Sequence, residues 1–218
     1  MVLPRPPKAV IFDMDGLLVD SEVIYAEALG AQAIAMGRNL PLEVIKRMIG
    51  HTWPGSAAVL RQHFGPDFDD QALKDGAVAR FHEIARAGVA LKAGVLEFLD
   101  HLDVLRLPRA LCTSSRRAAV DLHFAEHGLA ARFDAVLAHG DYLRPKPDPE
   151  PYLKAAQALG VDPADCLALE DSHNGVRAAA GAGMMTVMVP DMLDPTEEME
   201  SLCVRIARDL HEVRGWLS

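Results

Sequence analysis

Cysteine is scarce in this sequence: Cys112, Cys166 and Cys203 are the only ones among 218 residues, odd in number, far apart and set in apolar stretches. A disulfide framework or a thiolate zinc site needs paired or closely spaced cysteines, so buried reduced thiols are expected instead. The histidines fall in no recognisable zinc motif and are assigned to surface and core. Positive charge is also short, with 22 Lys and Arg against 31 Asp and Glu for a net charge of -9. No basic run is long enough to follow a phosphate backbone, which argues against a nucleic-acid partner. No apolar run is long enough to span a membrane, and the Pro-rich start, Met1 to Lys8, lacks the long apolar region and cleavage site of a signal peptide. Internal repeats and low-complexity segments are missing too. These absences predict a cytosolic, soluble protein with no membrane partner, and a monomer is the default expectation.

What the sequence does have is apolar material: half its residues are hydrophobic, enough to bury a core in one domain or one domain with a small insertion. Ala9 to Phe12 is apolar on both faces, the mark of a strand inside a parallel sheet covered by helices. It leads straight into Asp13, Asp15, Gly16 and Asp20. Asp13 and Asp15 stand two apart, so in an extended chain end they point the same way and repel. Packing alone does not explain such an end, and a positive group is expected between them. The plain alternative is that Asp15-Gly16 closes the strand as a turn and Asp13 is a cap.

Ser21 to Gly37 then has its apolar residues at helical spacing, with Ser21 as candidate N-cap and Gly37 as stop. Further helical patterns cover Pro41 to Ile49, Pro54 to Phe64 and Asp70 to Ala87, and no strand pattern interrupts them. A helical run of that length after a lone strand suggests an inserted unit, hinged near Leu18 to Ser21 and Gly88 to Ala93. From Gly94 helices and strands alternate: helices over Gly94 to Leu105, Arg116 to His127, Asp148 to Leu159, His173 to Ala182 and Leu210 to Leu217; strands over Arg109 to Thr113, Ala135 to Ala138, Cys166 to Leu169, Met185 to Val189 and Val204 to Ala207. The expected fold is α/β, a doubly wound parallel sheet with a Rossmann-like core of residues 1–18 and 92–218 and an inserted α-helical domain of residues 19–91.

In such sheets the active crevice lies beyond the carboxyl ends of the strands. Those ends carry Asp13 and Asp15, then Thr113-Ser114-Ser115, then Glu170-Asp171, while Lys146 sits in the Arg144 to Pro149 loop. Acids, hydroxyls and one lysine at a common rim suit a hard metal ion and a phosphate. Carboxylate oxygens match Mg²⁺, which commonly shares its shell with phosphate oxygens. Thr113 and the amides at the start of the Arg116 helix can accept an anion, and Lys146 can neutralise the phosphoryl group and the acids. Taken singly, the hydroxyl run can be an N-cap, Lys146 a solvated loop lysine and Glu170-Asp171 a capping pair. Their joint position at strand ends favours the chemical assignment.

These residues resemble the motifs of the haloacid dehalogenase-like hydrolases, in particular the helical-cap subgroup of small phosphatases and beta-phosphoglucomutase. The matching residues are Asp13-Met14-Asp15-Gly16 with Asp20-Ser21-Glu22, Thr113 after a strand, Lys146-Pro147, and Leu169-Glu170-Asp171-Ser172 with Asn174-Gly175. The resemblance implies that Asp13 is a nucleophile forming an aspartyl-phosphate and Asp15 the general acid and then base. It implies that Asp13, the Asp15 carbonyl and Asp171 hold Mg²⁺, with Glu170 bound directly or through water. Thr113, the Ser114 amide and Lys146 would hold the phosphoryl oxygens, and Tyr25, His51 and Trp53 of the cap would meet substrate.

Departures from the family's patterns narrow the chemistry. Dehalogenases of this fold lack the second acid, so Asp15 argues against them. Phosphonate-cleaving members use a cap lysine where this sequence has Trp53. The mutases carry a histidine, a lysine and an arginine where it has Tyr25, Ile49 and Trp53. The leading expectation is an Mg²⁺-dependent phosphatase acting on a small phosphorylated metabolite, with a sugar phosphate as the candidate; a phosphomutase and a catalytically silent binding scaffold are the alternatives.

Overall fold

Ala9, Val10, Ile11 and Phe12 are fully buried and form β1 (Ala9–Phe12), the strand from which the sheet extends both ways. In the computed structural model, which describes residues 3–217, the other strands are β2 (Arg109–Arg116), β3 (Ala135–His139), β4 (Cys166–Glu170), β5 (Met185–Met188) and β6 (Arg205–Ile206). Every pairing is parallel and the order is β3-β2-β1-β4-β5-β6, the doubly wound Rossmann-like arrangement. The chain thus reverses its winding at β1, between β2 and β4. Register sets what meets there: Phe12 lies opposite both Leu111 and Leu169, so Asp13, Cys112 and Glu170 follow at one level. The Asp13 amide extends the ladder by donating to the Leu169 carbonyl at 3.0 Å.

Side chains alternate across the sheet with period two. Ala9 and Ile11 join a cluster with Ala155 and Ala156 of α7 (Glu150–Leu159) and Ala178 and Ala179 of α8 (His173–Gly181), where small residues let helices approach the strands closely. Phe12 contacts Phe98 of α5 (Val95–Leu105) and Phe133 edge to face, at centroid distances of 5.6 and 5.7 Å. Phe133 in turn stacks on Phe124 of α6 (Arg117–His127).

Contacts divide the chain into two compact units, one running up to Val19 and again from Leu91, the other Asp20–Ala90. The second is all helical among the described residues: α1 (Ser21–Ala35), α2 (Leu42–Lys46), α3 (Trp53–Phe64) and α4 (Asp70–Ala85). There α1 packs on α4, burying Ala26, Leu29 and Ala33 with Leu73 and Ala77. No helix among the described residues is long and apolar enough to cross a membrane.

Several element ends differ from the sequence expectation. Asp20 rather than Ser21 occupies the N-cap of α1, and Ser21 is its first, buried residue. Helix α7 starts at Glu150, because the Asp148 side chain accepts from the Glu150 amide at 2.9 Å and holds the preceding residues in a turn. Helix α9 (Glu197–Leu202), followed by β6 and by α10 (Leu210–Arg214), was not expected at all. It is capped by Thr196 and buries only Met199, too little apolar material to give a helical period.

Candidate active site

Lys146 organises the rim. Its Nζ donates to Asp13 Oδ1 at 2.6 Å, to Glu170 Oε1 at 2.5 Å and to the Cys112 carbonyl at 2.9 Å, which uses all the hydrogens of an ammonium. It is no solvated loop lysine. Burial alone would lower its pKa, but the facing Asp13 and Glu170 carboxylates raise it well above the usual lysine value, so it stays charged. The sequence predicts a positive group between Asp13 and Asp15; Lys146, from the loop between β3 and α7, lies instead between Asp13 and Glu170.

Glu170 is held at every oxygen. Oε1 accepts from Lys146 and from the Tyr152 hydroxyl at 2.6 Å; Oε2 accepts from the Ser172 hydroxyl at 3.0 Å and the Ser172 amide at 3.3 Å. Ser172 also caps α8, its hydroxyl accepting from the Gly175 amide at 3.1 Å, so the carboxylate rests against a helix N-terminus whose dipole favours its charge. Gly175 has no room for a side chain, since a Cβ there would overlap the Glu170 carboxyl group. Gly175→Ala is accordingly expected to push Glu170 from its partners and cost about 1–3 kcal/mol of overpacking, read as a lowered midpoint in urea denaturation.

Asp171, the next residue, is buried, and its carboxylate oxygen lies with those of Asp13 and Glu170 within 4.8 Å of one another. Burial pushes the Asp13 carboxyl up to about 7, with Lys146 working against the rise and Glu170 and Asp15 adding to it. One ammonium in direct contact does not offset this crowd of acids. An all-oxygen donor set with surplus negative charge suits a hard divalent cation, so the residues fit one.

Asp15 faces other partners than Asp13 does. Its Oδ2 accepts from the Ser115 hydroxyl at 2.7 Å and, at 3.4 Å, from the buried Thr113 hydroxyl. Thr113 Oγ1 accepts from the Ser115 amide at 3.0 Å, and the Thr113 carbonyl accepts from the Tyr142 hydroxyl at 3.0 Å. The sequence pattern ends the strand at Thr113, but the strand runs on through Thr113 and Ser114. Both lie in β2, which continues to Arg116 through a register shift against β3, and α6 begins only at Arg117. The amides beside Thr113 thus belong to a strand end, with Ser114 exposed between them.

The structure brings Asp13, Asp15, Thr113, Lys146, Glu170 and Asp171 together in the sheet unit, with Ser114 beside them. Tyr25, His51 and Trp53 belong to the helical unit. There Tyr25 meets Phe81 edge to face at 5.9 Å, Trp53 Nε1 donates to Asp70 at 3.3 Å with the Lys74 ammonium 5.1 Å above its ring, and His51 is exposed. Sequence reasoning gave no role to Ser115, Tyr142 or Tyr152. Ser115 was visible in the hydroxyl run; Tyr152 lies on the buried face of α7 among Ala155 and Ala156, where its period reads only as core.

The family model for haloacid dehalogenase-like hydrolases matches residues 7–183. The fructose-1-phosphate phosphatase of Escherichia coli (strain K12) is 31% identical over 186 residues, 83% of this chain and 95% of that protein. The phosphoglycolate phosphatase of Thiobacillus denitrificans is 31% identical over 195 residues, 86% of this chain and 85% of that one. A crystal structure of a hydrolase of the same family from Deinococcus radiodurans, with bound phosphate and sodium, superposes with a TM-score of 0.79 at 30% identity and covers 98% of both chains.

Proposed function

The chain belongs to the haloacid dehalogenase-like hydrolases and is a phosphohydrolase, and we propose that it hydrolyses a small phosphate monoester of the sugar-phosphate type through a phosphoryl group carried on Asp13. The observation that carries this proposal is the buried Lys146 ammonium shared between Asp13 and Glu170 at the carboxyl ends of β1 and β4. A carboxylate pinned by a lysine at a topological switch point supports the nucleophile role, since its charge must be offset before a phosphate approaches. The name of the fructose-1-phosphate phosphatase supports a sugar phosphate, and that of the phosphoglycolate phosphatase a small phosphate monoester, both proteins being similar to this chain. On this proposal residues 1–18 and 92–218 are the catalytic core and residues 19–91 the cap domain.

In the first step an Asp13 carboxylate oxygen forms a bond to phosphorus as the bond from phosphorus to the ester oxygen breaks, and Asp15 gives its proton to the departing alkoxide. In the second, Asp15 takes a proton from water, the water oxygen bonds to phosphorus, and the bond between phosphorus and the Asp13 oxygen breaks, returning the Asp13 carboxylate and releasing phosphate. Lys146 and the Thr113 hydroxyl, with the Ser114 amide, orient the phosphoryl oxygens. Asp13, the Asp15 carbonyl and Asp171, with Glu170 directly or through water, would hold a divalent cation such as Mg²⁺, which supplies positive charge against the dianionic phosphate when bound. Ser115 holds the Asp15 side chain by its 2.7 Å hydrogen bond, steering the group that moves the protons.

Phosphate release from a panel of sugar, nucleotide and glycolytic phosphates with Mg²⁺ tests the proposal. Turnover of at least one small ester, lost on chelation by EDTA, is the expected outcome. No turnover on any of them would sink it, and an isomeric phosphate appearing faster than free phosphate would reassign the enzyme to the mutases.

A further inference from the structure

The reaction proposed above leaves Asp191 unused, although it stands beside the acids. It follows β5, and the loop there is tied to the site by the Val189 amide donating to the Glu170 carbonyl at 2.7 Å. The Asp191 side chain is only 10% exposed. Its Oδ1 accepts from Lys92 Nζ at 2.6 Å, whereas Oδ2 is buried without a hydrogen-bond partner. Native structures rarely leave a buried carboxylate oxygen unsatisfied unless something outside the protein completes it.

Gly16 shows where that oxygen points. Gly16 has φ +80, and a Cβ built on it would collide with Asp171 Oδ2 and come within 3.3 Å of Asp191 Oδ2. Both oxygens converge over the same bare Cα, in the turn that joins Asp15 to Val19. Carboxylate oxygens of Asp171 and Asp191 lie within 4.8 Å of each other. Two carboxylates this close repel unless a donor or a cation lies near them. Lys92 Nζ bonds Oδ1 and not Oδ2, and its backbone is fixed by the Lys92 amide donating to the Leu18 carbonyl at 2.9 Å.

We propose that Asp191 is a positioning residue for the divalent cation, its Oδ2 accepting a hydrogen bond from a water molecule bound to the cation at Asp13 and Asp171. Such outer partners fix the orientation of the inner ones and raise metal affinity without touching the metal. Lys92 keeps Asp191 oriented and offsets its charge. The inference rests on the cation assignment made above.

Mg²⁺ titration of the full chain by isothermal calorimetry, with Mn²⁺ paramagnetic resonance as a second readout, tests it on the wild type and on Asp191→Asn, Asp191→Ser, Asp171→Asn and Lys92→Met. Asp191→Asn and Asp191→Ser are expected to weaken Mg²⁺ binding roughly tenfold or more, as loss of an outer-shell partner does. Thermal unfolding of the same cation-free samples reports whether each variant is folded. An Asp191 that serves only its ion pair would make Asp191→Asn and Lys92→Met lower the unfolding midpoint alike and leave Mg²⁺ affinity within twofold of wild type; that result, beside a weakened Asp171→Asn, overturns this inference alone. A wild-type chain that binds neither Mg²⁺ nor Mn²⁺ overturns the cation assignment and this inference together.

Discussion

Asp13→Asn is expected to lower the rate of phosphate release by roughly 10³-fold or more, because an amide cannot form the acyl phosphate through which the proposed hydrolysis runs. The same substitution should leave the fold intact. Asparagine keeps the volume of the side chain, and the buried charge it removes is one that the surroundings resist, since burial pushes Asp13 up to about 7. Lys146 retains Glu170 as its ion-pair partner at 2.5 Å. The sign of the pH effect follows. Asp13 binds its proton more tightly in the folded chain than the ordinary carboxyl of pKa 3.8 does, so its contribution to stability is full below about 3.8 and is lost as pH rises through about 7. In cation-free buffer the wild type should therefore lose more stability between pH 5 and pH 8 than Asp13→Asn does. Urea denaturation at the two pH values, paired with a phosphate-release assay, separates the outcomes: a variant that folds and still turns over at the wild-type rate would exclude Asp13 as nucleophile.

Lys146→Met should damage both stability and activity. Removing the ammonium leaves Asp13 and Glu170 facing each other, both buried, without the cation that joins them at 2.6 and 2.5 Å. Breaking a buried pair from one side typically costs about 3–5 kcal/mol, far more than loss of a surface ion pair. Arginine is no conservative replacement, because its planar fork cannot place one donor on each of two carboxylates and a third on the Cys112 carbonyl. Adding Glu170→Gln to Lys146→Met relieves one buried charge and should recover part of the lost stability but none of the activity. If the single variant unfolds at the wild-type urea concentration, the ion pair does not hold this rim together; if the double variant is no more stable than the single one, Glu170 is not the charge that Lys146 satisfies.

The elements and the acids were legible for a local reason. Residues 9–12 are apolar on both faces and buried on both faces, and the alternation after Gly94 gives the doubly wound sheet because each segment's period reports its own burial. The acids at the ends of β1 and β4 stood out because charge at the end of a wholly buried strand has no packing explanation. Short segments were less legible. Helix α9 buries a single residue, and the end of β2 is set by the Thr113 hydroxyl and by pairing of Arg116 with His139, neither of which leaves a periodic trace.

By itself, the sequence determined that a parallel sheet would form and that carboxylates would crowd one rim with hydroxyls and a lysine near. Only the tertiary structure decided which groups meet. Lys146 lies 133 residues from Asp13 along the chain yet reaches both Asp13 and Glu170; Tyr152, read as core, holds Glu170; Asp191 turns one oxygen toward Lys92 and the other toward Gly16 and Asp171. The physical reason is that period and composition encode how each segment buries itself, whereas the partner of a charged side chain at a strand end is fixed by the register between distant strands and the path of the loops joining them.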